Sequence, residues 1–197
     1  AHVEASPWLR AGTATVTPLV SIGLPVYNGE RYLRVAIESL LAQTAGDFEL
    51  IISDNASTDA TGDICLEFPR NDARIPYLRH PHNVGVTKNF NGVVAHATAP
   101  YFKWASADDL VAPDFLQKCI AVLNRDRSVV LAHTKTRFID ADGRVMARED
   151  SGLHLMEERP SDRLYSLWER LVFCNAQYGV MRIDALRRTP LFGSFIG

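Results

Sequence analysis

Cysteine is scarce in this chain: Cys65, Cys119 and Cys174 are the only three, far apart and odd in number. That spacing argues against a disulfide framework, and no Cys-x-x-Cys pair exists to hold a metal. Cys65 and Cys119 fall among the apolar positions of predicted helices and read as small buried hydrophobes, which fits a reducing, cytoplasmic compartment. Long apolar runs are missing too. The longest uncharged stretches, such as Val129-Val130-Leu131-Ala132, are strand-sized, far below the ~18 residues of a membrane helix. No positively charged start precedes an apolar segment, so no secretory signal is visible. Nor is charge of one sign in excess: 21 Lys and Arg face 23 Asp and Glu, a net charge of -2 over 197 residues. This balance argues against a nucleic-acid binder working through a broad basic surface and leaves only a local patch open. His-Glu-x-x-His, Gly-x-Ser-x-Gly, a Walker loop and Gly-x-Gly-x-x-Gly are all absent. Zinc sites, serine hydrolases, P-loop ATPases and typical dinucleotide dehydrogenases are thereby set aside.

What is present is apolar substance in a repeating pattern. Hydrophobic residues make up 47% of the chain, enough for a well-covered core. At roughly 150 residues per domain, the length fits one domain with room for an appended subdomain. Residues 1–17 show no sustained periodicity and read as a flexible leader. Residues 19–24 form the first predicted strand, ending at Pro25, which cannot donate to a ladder. From about Glu30 a helix carries Tyr32, Leu33, Ala36, Ile37, Leu40 and Leu41 on one face. Residues 48–52 predict a buried strand, followed by a helix capped by Ser57 or Thr58 with Ile64, Cys65 and Phe68 on its apolar side. Residues 75–79 read as an edge strand because of Pro76, and Val86, Phe90, Val93, Val94 and Ala97 fit the next helix. Residues 101–104 predict a fourth strand and 113–123 a fourth helix, with Pro113 near its first turn. Strands alternating with helices imply an α/β fold with a mostly parallel sheet covered on both faces.

Beyond Arg125 the pattern changes. Residues 128–139 are rich in strand formers, and Asp142-Gly143 signals a two-residue hairpin. Residues 149–160 read as a loop. Ser161 is placed to cap a helix bearing Leu164, Tyr165, Trp168, Leu171 and Val172, and 178–183 predict another strand before a short helix at Asp184. Phe192, Phe195 and Ile196 have no element completing around them, so the chain reads as a fragment of a longer protein.

In parallel sheets, ligands bind beyond the carboxyl ends of the strands. Tyr27-Asn28, Asp54-Asn55, Asn83 and Asp108-Asp109 all follow strands and should gather on one rim. Asp108 and Asp109, after a strand holding Lys103 and Trp104, suit a hard divalent cation with its phosphate ligand; the other reading is acids at a helix start. Asp54 suits the imino N–H of a uracil ring, or else an Asx turn feeding the next helix. Tyr27 offers a ring for base stacking, or packs in a turn. Asn83 lies in the loop His82-Asn83-Val84-Gly85 before a helix N-terminus, where anions are welcome.

Taken in order and spacing, Pro25-Val26-Tyr27-Asn28-Gly29-Glu30, Ser53-Asp54-Asn55-Ala56-Ser57-Thr58-Asp59, Asn83-Val84-Gly85 with Asn89-Phe90-Asn91, and Ser106-Ala107-Asp108-Asp109 resemble a family 2 glycosyltransferase of GT-A fold. The resemblance runs from about Val20 to Asp142, and more loosely to Arg188. It implies a donor region over residues 18–125 and a partial acceptor-side region over 126–197. Pro25, Val26 and Tyr27 would line the base pocket, with Glu30 at its rim and Asp54 on the nucleobase. Asp108 would lie near the ribose and diphosphate, and Asp109 would hold Mg²⁺ or Mn²⁺. The implied partners are a nucleotide-sugar donor, most simply UDP-linked, and a glycan, lipid-linked or other hydroxyl acceptor, with inversion at the transferred sugar. Ser106 stands where the family often carries a further Asp. The base is expected after a segment resembling Gly179-Val180-Met181-Arg182 and beyond Gly197; Glu149, Asp150, Glu157 and Glu158 read as loop acids. The other readings are a non-catalytic nucleotide-sugar-binding or assembly module, and a nucleotidyltransferase, whose Gly-rich basic loop Tyr27-Asn28-Gly29-Glu30 does not supply.

Overall fold

Strands that are apolar on both sides must be covered on both sides, and this requirement sets the architecture. The computed structural model describes residues 17–70, 72–149, 153–171 and 173–193. Its strands are β1 Val20–Val26, β2 Phe48–Asp54, β3 Tyr77–Arg79, β4 Tyr101–Trp104, β5 Leu131–Ala132, β6 Thr136–Ile139, β7 Val145–Glu149 and β8 Val180–Arg182. The helices are α1 Leu33–Leu41, α2 Thr61–Glu67, α3 Val86–Ala95, α4 Phe115–Arg125, α5 Pro160–Arg170 and α6 Ile183–Leu186, with a 3-10 turn at Cys174–Tyr178. The leader expected over residues 1–17 lies, but for Thr17, outside the described residues, as do Asp150, Val172, Phe195 and Ile196.

Six strands form one sheet in the order β3-β2-β1-β4-β8-β5. β1 to β4 run parallel, whereas β8 lies antiparallel between β4 and β5. On one face Ile22, Leu24, Leu50 and Ile52 meet Leu33, Ile37 and Leu40 of α1, Cys65 of α2 and Leu116, Cys119 and Leu123 of α4. On the other, Ile51, Phe102, Trp104 and Met181 meet Val93 and Val94 of α3 and Leu186 of α6. The chain therefore walks from β1 outward to β3, then crosses the opposite face through α3 to insert β4 on the other side of β1. A reversal of this kind opens a crevice beyond the carboxyl ends of the two strands that flank it. No helix among the described residues is long and apolar enough to cross a membrane.

Several local expectations are corrected. β1 does not stop at Pro25 but runs to Val26 beside Asp54. Pro25 shares the edge of Gly23, and on that edge pairing with β4 has ended: Ala105 N–H donates to the Gly23 carbonyl at 2.8 Å and the chain then leaves. The missing proline N–H therefore faces no strand. α1 begins at Leu33 rather than Glu30, and Pro113 lies ahead of α4, its carbonyl accepting from Thr44 N–H. Neither Ser57, Thr58 nor Ser161 caps a helix; Asp59 takes the Thr61 N–H, and Pro160 opens α5. Val86 is solvent-facing, and buried Asn89 takes its place on the α3 stripe. The β6–β7 hairpin turns over the five residues 140–144, with Gly143 N–H on the Asp140 carbonyl and Gly143 at φ +79, a left-handed position suited to glycine. Leu164, Tyr165, Trp168 and Leu171 form no buried face: α5 buries no residue, and Trp168 is 85% exposed. Phe192, by contrast, has partners, packing edge-on against Phe90 and Trp104. Cys65 and Cys119 are buried as expected.

Gly23 marks the tightest place in the central strand. A Cβ there would stand 2.6 Å from Val93 Cγ2 and 2.8 Å from Phe102 Cζ, whereas one on Gly46 would meet nothing within 4 Å. Gly23→Ala is expected to cost about 2 kcal/mol by overpacking. Gly46→Ala is expected to change stability by less than about 0.5 kcal/mol. Urea midpoints of the two variants check the contrast.

Candidate donor site

The rim above the parallel strands is built by loops that hold one another. Asn28 N–H donates to Ser57 Oγ at 3.0 Å and Gly29 N–H to Thr61 Oγ1 at 2.8 Å. In return Thr58 N–H donates to Asn28 Oδ1 at 2.8 Å and Ala60 N–H to Glu30 Oε2 at 2.9 Å. A third loop joins through Asn55, whose Nδ2 donates to Asn83 Oδ1 at 3.0 Å while its Oδ1 accepts Val84 N–H at 2.8 Å. Asn89 closes the set from below, accepting from Ser53 Oγ at 2.6 Å and donating to the Ser53 carbonyl at 3.1 Å. Each loop thus finds partners for its backbone groups in its neighbours, as irregular backbone must when it leaves water.

The acidic loop after β4 is fixed to the same rim. A Cβ on Gly29 would lie 3.3 Å from Ala107 Cβ, so the two loops flank the crevice in near contact. Gln43, buried at the end of α1, donates to the Ala112 carbonyl at 2.8 Å and accepts Leu116 N–H at 3.0 Å. Ser39 Oγ accepts Val111 N–H at 3.2 Å. Asp108 accepts a short hydrogen bond from Ser106 Oγ. Asp109 has no hydrogen bond or ion pair among the described residues; the residue is exposed overall, but partial desolvation of its carboxyl first, then the Asp108 charge, hold that group above the usual range, opposed by Lys103. No group of three or more His, Cys, Asp or Glu able to hold a metal occurs among the described residues. The acidic pair therefore fits a hard cation only as Mg²⁺ sites commonly do, with substrate phosphate and water completing the shell.

Of the residues singled out from sequence, Tyr27, Glu30, Asn83, Asp108 and Asp109 face solvent on this rim. Pro25 and Val26 are walled in at the end of β1, and Asp54 is wholly buried. Asp54 Oδ1 accepts Ser57 N–H at 2.8 Å, three residues on, so the carboxylate fixes the loop after β2 by a local side-chain-to-backbone bond one residue longer than the expected Asx turn. Its Oδ2 accepts from Tyr77 Oη at 3.3 Å and lies 3.5 Å from Arg79 Nε. Arg79 also donates to the Ser57 carbonyl at 2.6 Å and so lies across the carboxylate.

The glycosyl transferase family 2 model matches residues 21–189. The chain belongs to that family. Among its relatives, a chondroitin synthase of Escherichia coli is 32% identical over 139 residues, covering 71% of this chain and 20% of the relative. An uncharacterized glycosyltransferase of Rickettsia typhi is 37% identical over 127 residues, covering 64% of this chain and 39% of the relative. The family 2 chain thus spans well under half of these relatives. Its fold is that of S. aureus TarS residues 1–349, with TM-score 0.63 and 20% identity over 85% of this chain and 48% of that one. It is likewise that of the Pyrobaculum calidifontis mannosyltransferase PcManGT, solved with GDP-Man and Mn²⁺, with TM-score 0.63 and 20% identity over 95% of this chain and 51% of that one. The GT-A architecture expected from sequence is the one observed.

The rim also holds residues to which the sequence motifs assign no role. Asn55 and Asn89 appeared within motifs without a role, although a polar residue in phase with the apolar stripe of α3 signals a buried hydrogen-bonding post. Tyr178 gave no local signal. It arrives from the C-terminal part on the 3-10 turn, near enough for Asp109 and Asp108 to help burial raise its hydroxyl pKa.

The raised Asp109 carboxyl makes stability depend on pH. The folded state holds this proton more tightly than the unfolded chain, so its stabilising contribution is complete in acid and lost as pH rises through the folded value. Metal-free Asp109→Asn is therefore expected to melt above the parent at about pH 7, the gain vanishing near pH 3. Paired thermal melts in EDTA at the two pH values read it.

Proposed function

We propose that this chain is the donor-binding part of a glycosyltransferase that moves a sugar from a UDP-linked donor to an acceptor hydroxyl, with inversion and with Mg²⁺ or Mn²⁺. The observation that carries this reading is the Asp108–Asp109 pair at the crevice between β1 and β4, with the Asp109 carboxylate lacking a hydrogen-bonded or ionic partner among the described residues. A TarS structure of the same fold, TM-score 0.60 and 20% identity, was solved with UDP-GlcNAc, which supports a nucleotide-sugar donor of this class.

Each residue has a physical role in this reading. Tyr27, 49% exposed beside the crevice, offers its ring to the base. Pro25 and Val26 form the wall behind it, and Glu30 and Asn83 hold the flanking loops. Asp54 meets the base N–H only after Arg79 withdraws from its Oδ2, so base binding and movement of Arg79 go together. Asp109 holds the cation, with Asp108 toward the ribose and diphosphate. A bound cation supplies charge to stabilise the departing diphosphate. Transfer with inversion also requires a carboxylate to take the acceptor proton. Glu157 is poorly suited to be that base, because it accepts from Ser166 Oγ at 2.5 Å, a bond that holds its carboxyl below the usual range.

Calorimetric titration of UDP with and without Mn²⁺ tests the reading. Binding is expected only with the metal, and Asp109→Asn is expected to weaken it by roughly tenfold or more. Failure of a folded sample to bind UDP in Mn²⁺ would overturn the UDP assignment, and tighter binding of GDP would reassign the base.

A further inference from the structure

The β6–β7 hairpin sets two like charges face to face. Arg137 pairs directly with Arg148, ahead of the register shift between Phe138 and Ile139. Directly opposite side chains share a sheet face with Cβ atoms ~5 Å apart, and like charges so placed repel. Both arginines are exposed, and neither guanidinium has a hydrogen bond, ion pair or ring contact among the described residues. The acids of the turn are engaged with one another's segment instead. Asp140 Oδ1 takes the Asp142 and Arg144 N–H groups, and Asp142 Oδ2 pairs with Arg144 at 2.9 Å. Guarding an open edge strand calls for charge, but an acid opposite either arginine would serve and would add an ion pair.

The hairpin springs from the same end of the main sheet as the acidic loop. β8 is antiparallel to both β4 and β5, so β5 runs with β4 and its carboxyl end, Ala132, points to the rim. β6 begins four residues later, at Thr136. Its other face is anchored. Alternation along the strand sends Phe138 away from Arg137, and the Phe138 ring centroid lies 5.1 Å from that of Phe173. Phe173 leads directly into the 3-10 turn Cys174–Tyr178, which packs on β4, the strand that runs into Asp108 and Asp109. The arginine face is thus the one left to solvent beside the crevice.

We propose that the Arg137–Arg148 pair binds the anionic group, carboxylate or phosphate ester, of an acidic glycan acceptor. The inference rests on the glycosyltransferase reading above and adds the charge of the acceptor to it. A guanidinium donates two parallel N–H bonds to either anion, and two guanidiniums on directly opposite residues can converge on one. An anion between them turns their repulsion into attraction. The pair therefore selects for charge, and leaves the sugar itself to be recognised elsewhere.

Calorimetry at low ionic strength tests this with three probes of equal length: an oligogalacturonate, a phosphorylated malto-oligosaccharide and its neutral parent sugar. The chain is expected to bind at least one acidic probe roughly tenfold more tightly than the neutral one. Whichever acidic probe binds more tightly assigns carboxylate or phosphate. Arg148→Gln is expected to lose about half of that preference on a logarithmic scale, and the double variant Arg137→Gln, Arg148→Gln all of it. The double variant is also expected to melt at or above the parent temperature, since it relieves a like-charge pair, and to bind UDP in Mn²⁺ as the parent does. Arg127→Gln removes an exposed charge ahead of β5, at the other end of the sheet, and is expected to keep the preference. Equal weakening by Arg127→Gln and Arg148→Gln would mean diffuse attraction and overturn the inference. So would a double variant that melts lower yet keeps the preference, which would make the pair a structural feature. A parent that prefers acidic probes but binds no UDP in Mn²⁺ overturns the donor reading and the acceptor role with it. One that binds UDP without preferring acidic probes overturns this inference alone.

Discussion

The loops after β1 and β2 answer each other's hydrogen-bonding needs, and the rest of the rim depends on that exchange. Asn28 receives Thr58 N–H while its own N–H goes to Ser57, and Glu30 receives Ala60 N–H while its own goes to Asp59 Oδ2. A net worth of about 1 kcal/mol per bond is modest, and most of these groups keep access to water, so the exchange sets the loops' geometry by the number and mutual consistency of its bonds. Parallel pairing of Val26 with Asp54 sets the two loops level, and Asn55 N–H on the Val26 carbonyl locks that level. The third loop is then placed by Asn55, and the acidic loop by the close approach of Ala107 to Gly29.

Against this well-satisfied frame, the poorly satisfied groups stand out. Asp109 carries a carboxylate that partial desolvation and Asp108 both disfavour, and Lys103 an ammonium that burial disfavours. Sites that sacrifice stability in this way are where function is expected, since local rules elsewhere in the fold are obeyed. Gly62 adds a steric condition of the same kind. A Cβ there would meet Arg79 Nη1 at 2.8 Å, so its absence lets Arg79 reach across Asp54. Arg79 thus covers the Asp54 side of the rim, while the Asp109 carboxylate on the other side has no hydrogen-bonded or ionic partner among the described residues.

The C-terminal part meets the first four strands through the main sheet. β5 and β8 extend the main sheet, with Arg182 donating to the Leu123 carbonyl in α4 and to the Val129 carbonyl in the segment that follows it. α5 does not join it. Its stripe of Leu164, Tyr165 and Trp168 has helical spacing and reads in sequence as a core face, yet all three side chains are exposed. Periodicity states that a helix has an apolar side; it does not state what that side meets.

Four strands, the helices between them, the buried cysteines and the motif set were legible because period, apolar runs and Pro or Gly punctuation are local properties. So was the family, since the spacing of 25–30, 53–59, 83–91 and 106–109 is carried by the chain itself. Helix starts and turn types were less legible, because Asp59 outcompetes Ser57 only once Asn28 has claimed the Ser57 hydroxyl. The extension of β1 through Pro25 depends on β4 having already left. What only the tertiary structure decided is which polar groups are satisfied. Asp54 is enclosed by Tyr77 and Arg79, Asn89 is buried beneath Ser53, Tyr178 lies near the acidic pair from the far end of the chain, and Lys103 is sealed under Phe115. Hydrogen bonding and desolvation are sums over neighbours brought from distant parts of the sequence, so no local pattern can contain them.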